Sequence, residues 1–235
     1  MTRAISSLVF STLIVLFSFT SFASEICSGN GGKTALVVID MQPKFVTRGG
    51  NDQTPENKAK VEQIITAQTA AIKYARRSNI PIVFLEYEGD YGDTNNALKT
   101  AVANYKEVKF FKKSSDGMFE DYNKYKKDLV DYLAQKKVGT LVITGANGGA
   151  CVLQSITGAL DGNCSVIAFN KGIADFNYKD FIYPYVNQYA NIKPNCKSCV
   201  FKEAPSLDDV ILAVGSGSKS DKATPPSYQG AGAVK

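Results

Sequence analysis

The sequence predicts an α/β fold: an open, mostly parallel, six-stranded sheet with helices on both faces, in the Rossmann-like manner. Three observations point to it. Residues 34 to 40 read Thr-Ala-Leu-Val-Val-Ile-Asp, a continuous β-branched run of the kind found in parallel strands buried on both faces. Short apolar runs of this type alternate along the chain with segments of helical period, which implies right-handed crossover units. A glycine-rich turn, Gly145-Ala-Asn-Gly-Gly-Ala-Cys151, joins one of the later strands to a helix.

In chain order, the first strand covers residues 34–40. Thr54-Pro55-Glu56 then supplies a cap, a first-turn proline and an early acid, and Val61, Ile64, Ile65, Ile72 and Ala75 follow at helical spacing, predicting a long amphipathic helix. The second strand is expected at Pro81 to Glu86, the third at Glu107 to Phe111 and the fourth at Thr140 to Thr144. Between the last two, Tyr122, Tyr125, Leu129 and Leu133 mark a helix. Val152, Ile156, Ala159 and Leu160 make a helical stripe after the fourth strand. Ser165 to Phe169 is the fifth strand, Ser198 to Phe201 the sixth, and Ser206 to Leu212 a closing helix.

The 235 residues and 44% apolar content support one ordinary domain, assigned to residues 24–214. Before it, Arg3, the apolar stretch Leu8 to Phe17 and the small-residue site Ser21-Phe22-Ala23 form the pattern of a signal peptide over residues 1–23. Cleavage after Ala23 is expected, giving an exported, periplasmic or secreted protein. That apolar stretch is shorter than the roughly 20 residues that span a bilayer, so no stable membrane insertion is expected. Residues 215–235 are rich in Gly, Ser, Ala, Pro and Lys without apolar period and read as a disordered tail.

Composition narrows the chemistry further. Removing Arg3 with the leader leaves 26 basic against 22 acidic residues, a charge of +4, which is not a nucleic-acid signature. Histidine is absent, so general-base work falls to a carboxylate or a lysine, and no metal or cofactor is expected. Five cysteines, Cys27, Cys151, Cys164, Cys196 and Cys199, cannot all pair in an oxidising compartment. With Cys151 left free, the other four allow three connectivities, of which Cys27 with Cys164 and Cys196 with Cys199 is favoured.

Open α/β sheets carry their sites at the carboxyl ends of the strands, near the point where strand order reverses. After the first strand that edge receives Asp40, after the third Lys112 and Lys113, and after the fourth Cys151. Each alone has an ordinary reading: a buried small hydrophobe for the cysteine, a turn residue for the aspartate, a solvated lysine. Together they supply a nucleophile, a base and a cation. A helix N-terminus and a nearby ammonium both favour thiolate over thiol at Cys151, and the backbone N–H groups of Ala150 and Cys151 could form an oxyanion hole.

Three segments carry a family resemblance: Leu36-Val-Val-Ile-Asp40-Met-Gln-Pro-Lys-Phe45, Lys113-Ser-Ser-Asp-Gly-Met-Phe119 and Leu141-Val-Ile-Thr-Gly145-Ala-Asn-Gly-Gly-Ala-Cys151-Val152. They resemble the signature blocks of the isochorismatase-like cysteine hydrolases, over roughly residues 33 to 212. The resemblance implies a catalytic triad of Asp40, Lys113 and Cys151, with Lys113 chosen over Lys112 by its spacing to Phe119. It also implies a cis peptide at Ala146-Asn147. The nicotinamidase branch, whose metal site uses histidines, does not fit a chain without them. The usual Ser-Ala-Phe is Gly117-Met118-Phe119 here, and Asn147-Gly148-Gly149 replaces a segment that often carries Thr and Asp, which leaves substrate choice open. The implied activity is cleavage of a C–N bond in a small amide or imide through a thiolate and an acyl-enzyme, acting on a small-molecule partner, with homo-oligomerisation left open. The competing readings are a non-catalytic binding scaffold of this fold and a thiol-disulfide redox protein using Cys196-Lys-Ser-Cys199. A nucleotide-binding module is disfavoured, because the Gly145 to Gly149 spacing matches neither glycine-rich phosphate motif.

Overall fold

The computed structural model describes residues 26–29, 31–48, 55–174 and 189–217. The signal-peptide segment and residues 218–235 lie outside them. Six strands, β1 (Lys33–Ile39), β2 (Ile82–Tyr87), β3 (Val108–Lys113), β4 (Val138–Ala146), β5 (Ser165–Ala174) and β6 (Phe201–Ala204), form one sheet in the order β3-β2-β1-β4-β5-β6. All five neighbouring pairs are parallel. The order reverses between β1 and β4, which is therefore where the sheet opens a crevice at its carboxyl edge.

The helices are α1 (Pro43–Arg48), α2 (Pro55–Arg77), α3 (Asn96–Ala101), α4 (Lys126–Gln135), α5 (Leu153–Asp161) and α6 (Leu207–Gly217). The side-chain alternation of β1 shows why both faces need cover. Ala35, Val37 and Ile39 enter one core with Leu129 and Leu133 of α4 and Ile156, Ala159 and Leu160 of α5. Leu36 and Val38 enter the other, with Ile64, Ala71, Ile72 and Ala75 of α2, Leu98 of α3 and Val210 of α6.

The expected strands are all present, with shifted ends. β4 and β5 run longer than their apolar cores, and β6 begins at Phe201 rather than Ser198, because the preceding residues are taken by the loop that the Cys196–Cys199 disulfide closes. The helix expected from Tyr122 starts at Lys126, after Tyr125 at its N-cap. Tyr122 lies in the preceding turn, 73% exposed. Two short helices were not expected: α1, opened by Pro43 at its first position, and α3, capped by the Asn95 side chain, which accepts a hydrogen bond from Ala97 N–H at 2.9 Å. The closing helix continues to Gly217, three residues into the stretch expected to begin the tail. No helix among the described residues is long and apolar enough to cross a membrane.

Both favoured disulfides form. Cys27–Cys164 ties the entry into β1 to the turn before β5, and Cys196–Cys199 closes its short loop. Cys151 is the free cysteine, and it is buried.

Candidate active site

Asp40 is the first residue after β1 and takes a left-handed backbone conformation, φ 51°, which an aspartate tolerates better than most side chains. Its N–H donates to the Leu85 carbonyl at 2.9 Å. On the neighbouring strand Gly145 pairs with Ile39; at φ 134° any Cβ there would stand 2.2 Å from the Ile39 carbonyl oxygen. Only glycine lets β4 approach β1 this closely at the level of the site.

The chain then passes through the cis peptide Ala146-Asn147, as the resemblance implied, into a π-turn over Gly148–Val152 before α5 begins. Cys151 lies inside that turn, not at the first residue of a regular helix. The buried Tyr189 hydroxyl donates to the Gly148 carbonyl at 2.8 Å and braces the turn. Ala150 N–H donates to the Asn147 carbonyl at 3.1 Å, so this expected oxyanion donor is occupied in closing the turn.

Lys113, the last residue of β3, reaches across the end of β2 to Asp40. Its Nζ lies 2.8 Å from Asp40 Oδ2, and both side chains are 0% exposed. The ammonium also donates to the carbonyls of Ser115 (2.9 Å) and Asp116 (3.2 Å) and rests 4.3 Å from the centroid of the Tyr87 ring, a cation–π contact. Lys112, one residue earlier, points the other way and, itself half exposed, pairs at 2.8 Å with the buried Glu86. Strand alternation alone thus separates the two lysines.

The Asp40 and Lys113 charges both act on the Cys151 thiol. Burial pushes the Asp40 carboxyl up to about 6, against the pull of Lys113. Burial also works against the Lys113 ammonium, but Asp40 and Cys151 outweigh it and hold its pKa above the ordinary lysine value. The carboxylate therefore interacts with the Lys113 ammonium, 2.8 Å from Oδ2, and with the Cys151 thiol at once.

One expectation is reversed. The Cys151 thiol is held well above the ordinary thiol range, first by burial and then by the Asp40 charge, which together outweigh Lys113. With 3% of the residue exposed, loss of water around the sulfur disfavours the thiolate more than the turn and the ammonium favour it. These surroundings favour the thiol form of Cys151 over the thiolate.

The structure also brings in a carboxylate that the sequence did not single out. The Cys151 Sγ donates to Asp116 Oδ1 at 3.7 Å. Asp116 reaches the sulfur because the loop after β3 folds back. Asn123 Nδ2 donates to the Met118 carbonyl at 2.8 Å, its Oδ1 accepts from Ser114 N–H at 3.1 Å, and Met118 N–H donates to Ser155 Oγ on α5 at 3.1 Å. Tyr87 feels both the Asp116 and the Cys151 charges, and the exposed Tyr122 feels that of Asp116.

Known proteins match this architecture. The family model described as the Isochorismatase domain matches residues 34–188, a span that holds Asp40, Lys113, Asp116 and Cys151. Among solved structures, the chain is similar to an N-carbamoylsarcosine amidase from Thermoplasma acidophilum (18% identity, TM-score 0.56, covering 75% of this chain and 99% of that one). It is similar also to an isochorismatase-like hydrolase from Alkaliphilus metalliredigens (21%, 0.57, 77% and 98%) and to a nicotinamidase from Staphylococcus aureus (19%, 0.55, 72% and 98%). No curated protein matches it. With the family model spanning most of the domain and the open parallel sheet agreeing with it, the chain belongs to the isochorismatase family.

Proposed function

We propose that this chain is an exported cysteine hydrolase that cleaves a C–N bond of a small amide or imide, with Cys151 as nucleophile, Asp40 as general base and acid, and Lys113 as the cation that holds Asp40 charged. The observation that carries this reading is the fully buried Asp40–Lys113 pair, 2.8 Å apart, set against the free cysteine Cys151.

Because the resting thiol holds its proton, transfer to Asp40 accompanies attack. As Sγ bonds to the substrate carbonyl carbon, the proton passes to Asp40 and the charge moves to the carbonyl oxygen, so a free thiolate need not accumulate. The Cys151 N–H is the backbone donor assigned to that oxygen, joined by Ala150 N–H if it leaves Asn147. When the C–N bond breaks, Asp40 returns the proton to the departing amine. Water, deprotonated by Asp40, then attacks the thioester and releases the acid, and the proton returns to sulfur. An Asp40 pKa of about 6 lets one group serve as base and acid near neutrality.

Export is supported by the leader-like residues 1–23 and by four of five cysteines standing in disulfides, the usage of an oxidising compartment. The reading is tested with a panel of small amides and imides on the intact protein and on Cys151→Ser. Ammonia release by the former alone, with a thioester adduct on Cys151 by mass spectrometry, supports it. Equal turnover by both would end it. N-terminal sequencing should find Ser24 first; Met1 on the mature protein would refute export.

A further inference from the structure

The charges at the thiol do not cancel. Asp40 and Lys113 neutralise each other, and Lys113 has its ammonium directed to Asp40, Ser115 and Asp116 carbonyl oxygen. The Asp116 carboxylate is a further negative charge 3.7 Å from Sγ, and among the described residues no lysine or arginine forms an ion pair with it. The exposed lysines Lys44, Lys112 and Lys124 are paired with Asp90, Glu86 and Glu88.

For a nucleophile that must become negative this is a counterproductive neighbour, since a like charge disfavours the thiolate. The surroundings suit a positive charge instead. Tyr87 and the exposed Tyr122 lie near enough to feel the Asp116 charge. Tyr87 continues into an aromatic cluster with Phe45 (5.9 Å between centroids) and Tyr91 (5.5 Å), whose own rings stack 4.7 Å apart. Tyrosine rings within reach of a carboxylate are a setting in which ammonium groups bind, as the Lys113 ammonium does 4.3 Å from the Tyr87 centroid. The buried Asp40 carboxylate, paired with Lys113, acts on the same sulfur.

We propose that Asp116 is the specificity-determining residue of the site and selects amides that carry an ammonium or guanidinium group close to the scissile carbonyl. The inference rests on the hydrolase reading above and names its substrate class. A bound cation paired with Asp116 removes the repulsion at Sγ, so the correct substrate both docks and eases loss of the thiol proton. A neutral amide leaves the Asp116 charge uncompensated, and an anionic amide adds to it.

The test uses the mature protein with its disulfides intact and two independent readouts. Hydrolysis is compared among β-alaninamide, butanamide and succinamate, which are cationic, neutral and anionic and of similar length. Alkylation of Cys151 is compared among 2-bromoethylamine, iodoacetamide and iodoacetate, which differ in charge in the same order and need no turnover. Expected for the native protein is a preference for the cation in the hydrolysis series and, with each rate taken relative to free cysteine, in the alkylation series. In Asp116→Asn the cation-to-neutral ratio of kcat/KM should fall by about ten- to a hundredfold, the range for loss of one charged hydrogen-bonded contact, and in Asp116→Lys the anion should become preferred. An alkylation ratio that does not move with Asp116→Asn overturns this inference whatever the hydrolysis series shows. Absence of turnover of every amide together with a shifted alkylation ratio would overturn the hydrolase reading and keep the cation selectivity of the site.

Discussion

Lys113 Nζ stands 2.8 Å from Asp40 Oδ2 with neither side chain exposed, so each charge is compensated almost entirely by the other. Removing one partner strands the other in a site without water, typically at about 3–5 kcal/mol. Lys113→Ala should therefore lose activity and also melt markedly lower, whereas Lys112→Ala, which leaves the buried Glu86 carboxylate its two hydrogen bonds from Thr94, should lower the melt less and keep activity. Thermal melts of the two variants beside an amide assay check this; equal losses would contradict the division of roles.

Asp40→Asn keeps the shape of the carboxylate while removing its proton-accepting function. Hydrolysis should fall by about 10²–10⁴-fold, the usual worth of a general base, and the melt should drop as well, because the buried Lys113 ammonium loses its partner. Near-native activity with a native melt would remove Asp40 from the mechanism.

The pH dependence follows from the Asp40 carboxyl, raised from 3.8 to about 6 by burial. Below 3.8 both folded and unfolded chains hold the proton. Between 3.8 and 6 the folded chain holds it more tightly, so this contribution to stability fades as pH rises through that window and is gone above about 6. Activity runs the other way, because the base must be ionised: kcat/KM should rise with pH through about 6 and then level. A pH-rate profile tests this, and an acidic limb near 4 would show that Asp40 is not raised in the working enzyme.

What was legible in the sequence was whatever depends on short-range pattern. The run before Asp40, the strand before Lys113 and the glycine-rich turn before Cys151 placed three groups on one sheet edge, and the reversal between β1 and β4 brings two of them together. Asp116 was not legible, because its approach to the sulfur depends on Asn123 and Ser155 holding the loop back, contacts that leave no periodic trace. The π-turn at Cys151 looks like any helix start in sequence. The direction of the thiol pKa was missed for a similar reason: helix and lysine are visible in the chain, but burial is a property of the packed core.

The Cys27–Cys164 disulfide links residues 137 apart and anchors the entry to β1, where Ile26 and Cys27 N–H both donate to the Gly162 carbonyl. Closing so long a loop restrains the unfolded chain strongly, and typical disulfides contribute about 2–4 kcal/mol. The double variant Cys27→Ala/Cys164→Ala should lose stability in that range. Cys196→Ala/Cys199→Ala, which opens a loop of only three residues' separation, should lose less. Denaturant titrations rank the two, and the reverse order would refute the argument.

The last expectation concerns the thiol itself, where burial and the turn make opposite demands. A thiol favoured as thiolate would react with iodoacetamide faster at neutral pH than a free cysteine, whose pKa is about 8.5. Here burial and the Asp40 charge hold Cys151 protonated despite Lys113, so the resting protein should react more slowly than free cysteine. Asp40→Asn removes the largest like charge and leaves Lys113 beside the sulfur, so it should speed alkylation even as it slows hydrolysis. Opposite movement of the two rates in one variant is what a base acting on a buried thiol requires. Alkylation rates measured from pH 6 to 10 on native and Asp40→Asn protein decide it. A fast native rate at pH 7, unchanged in the variant, would mean that the thiolate pre-exists and that Asp40 does not hold the proton back.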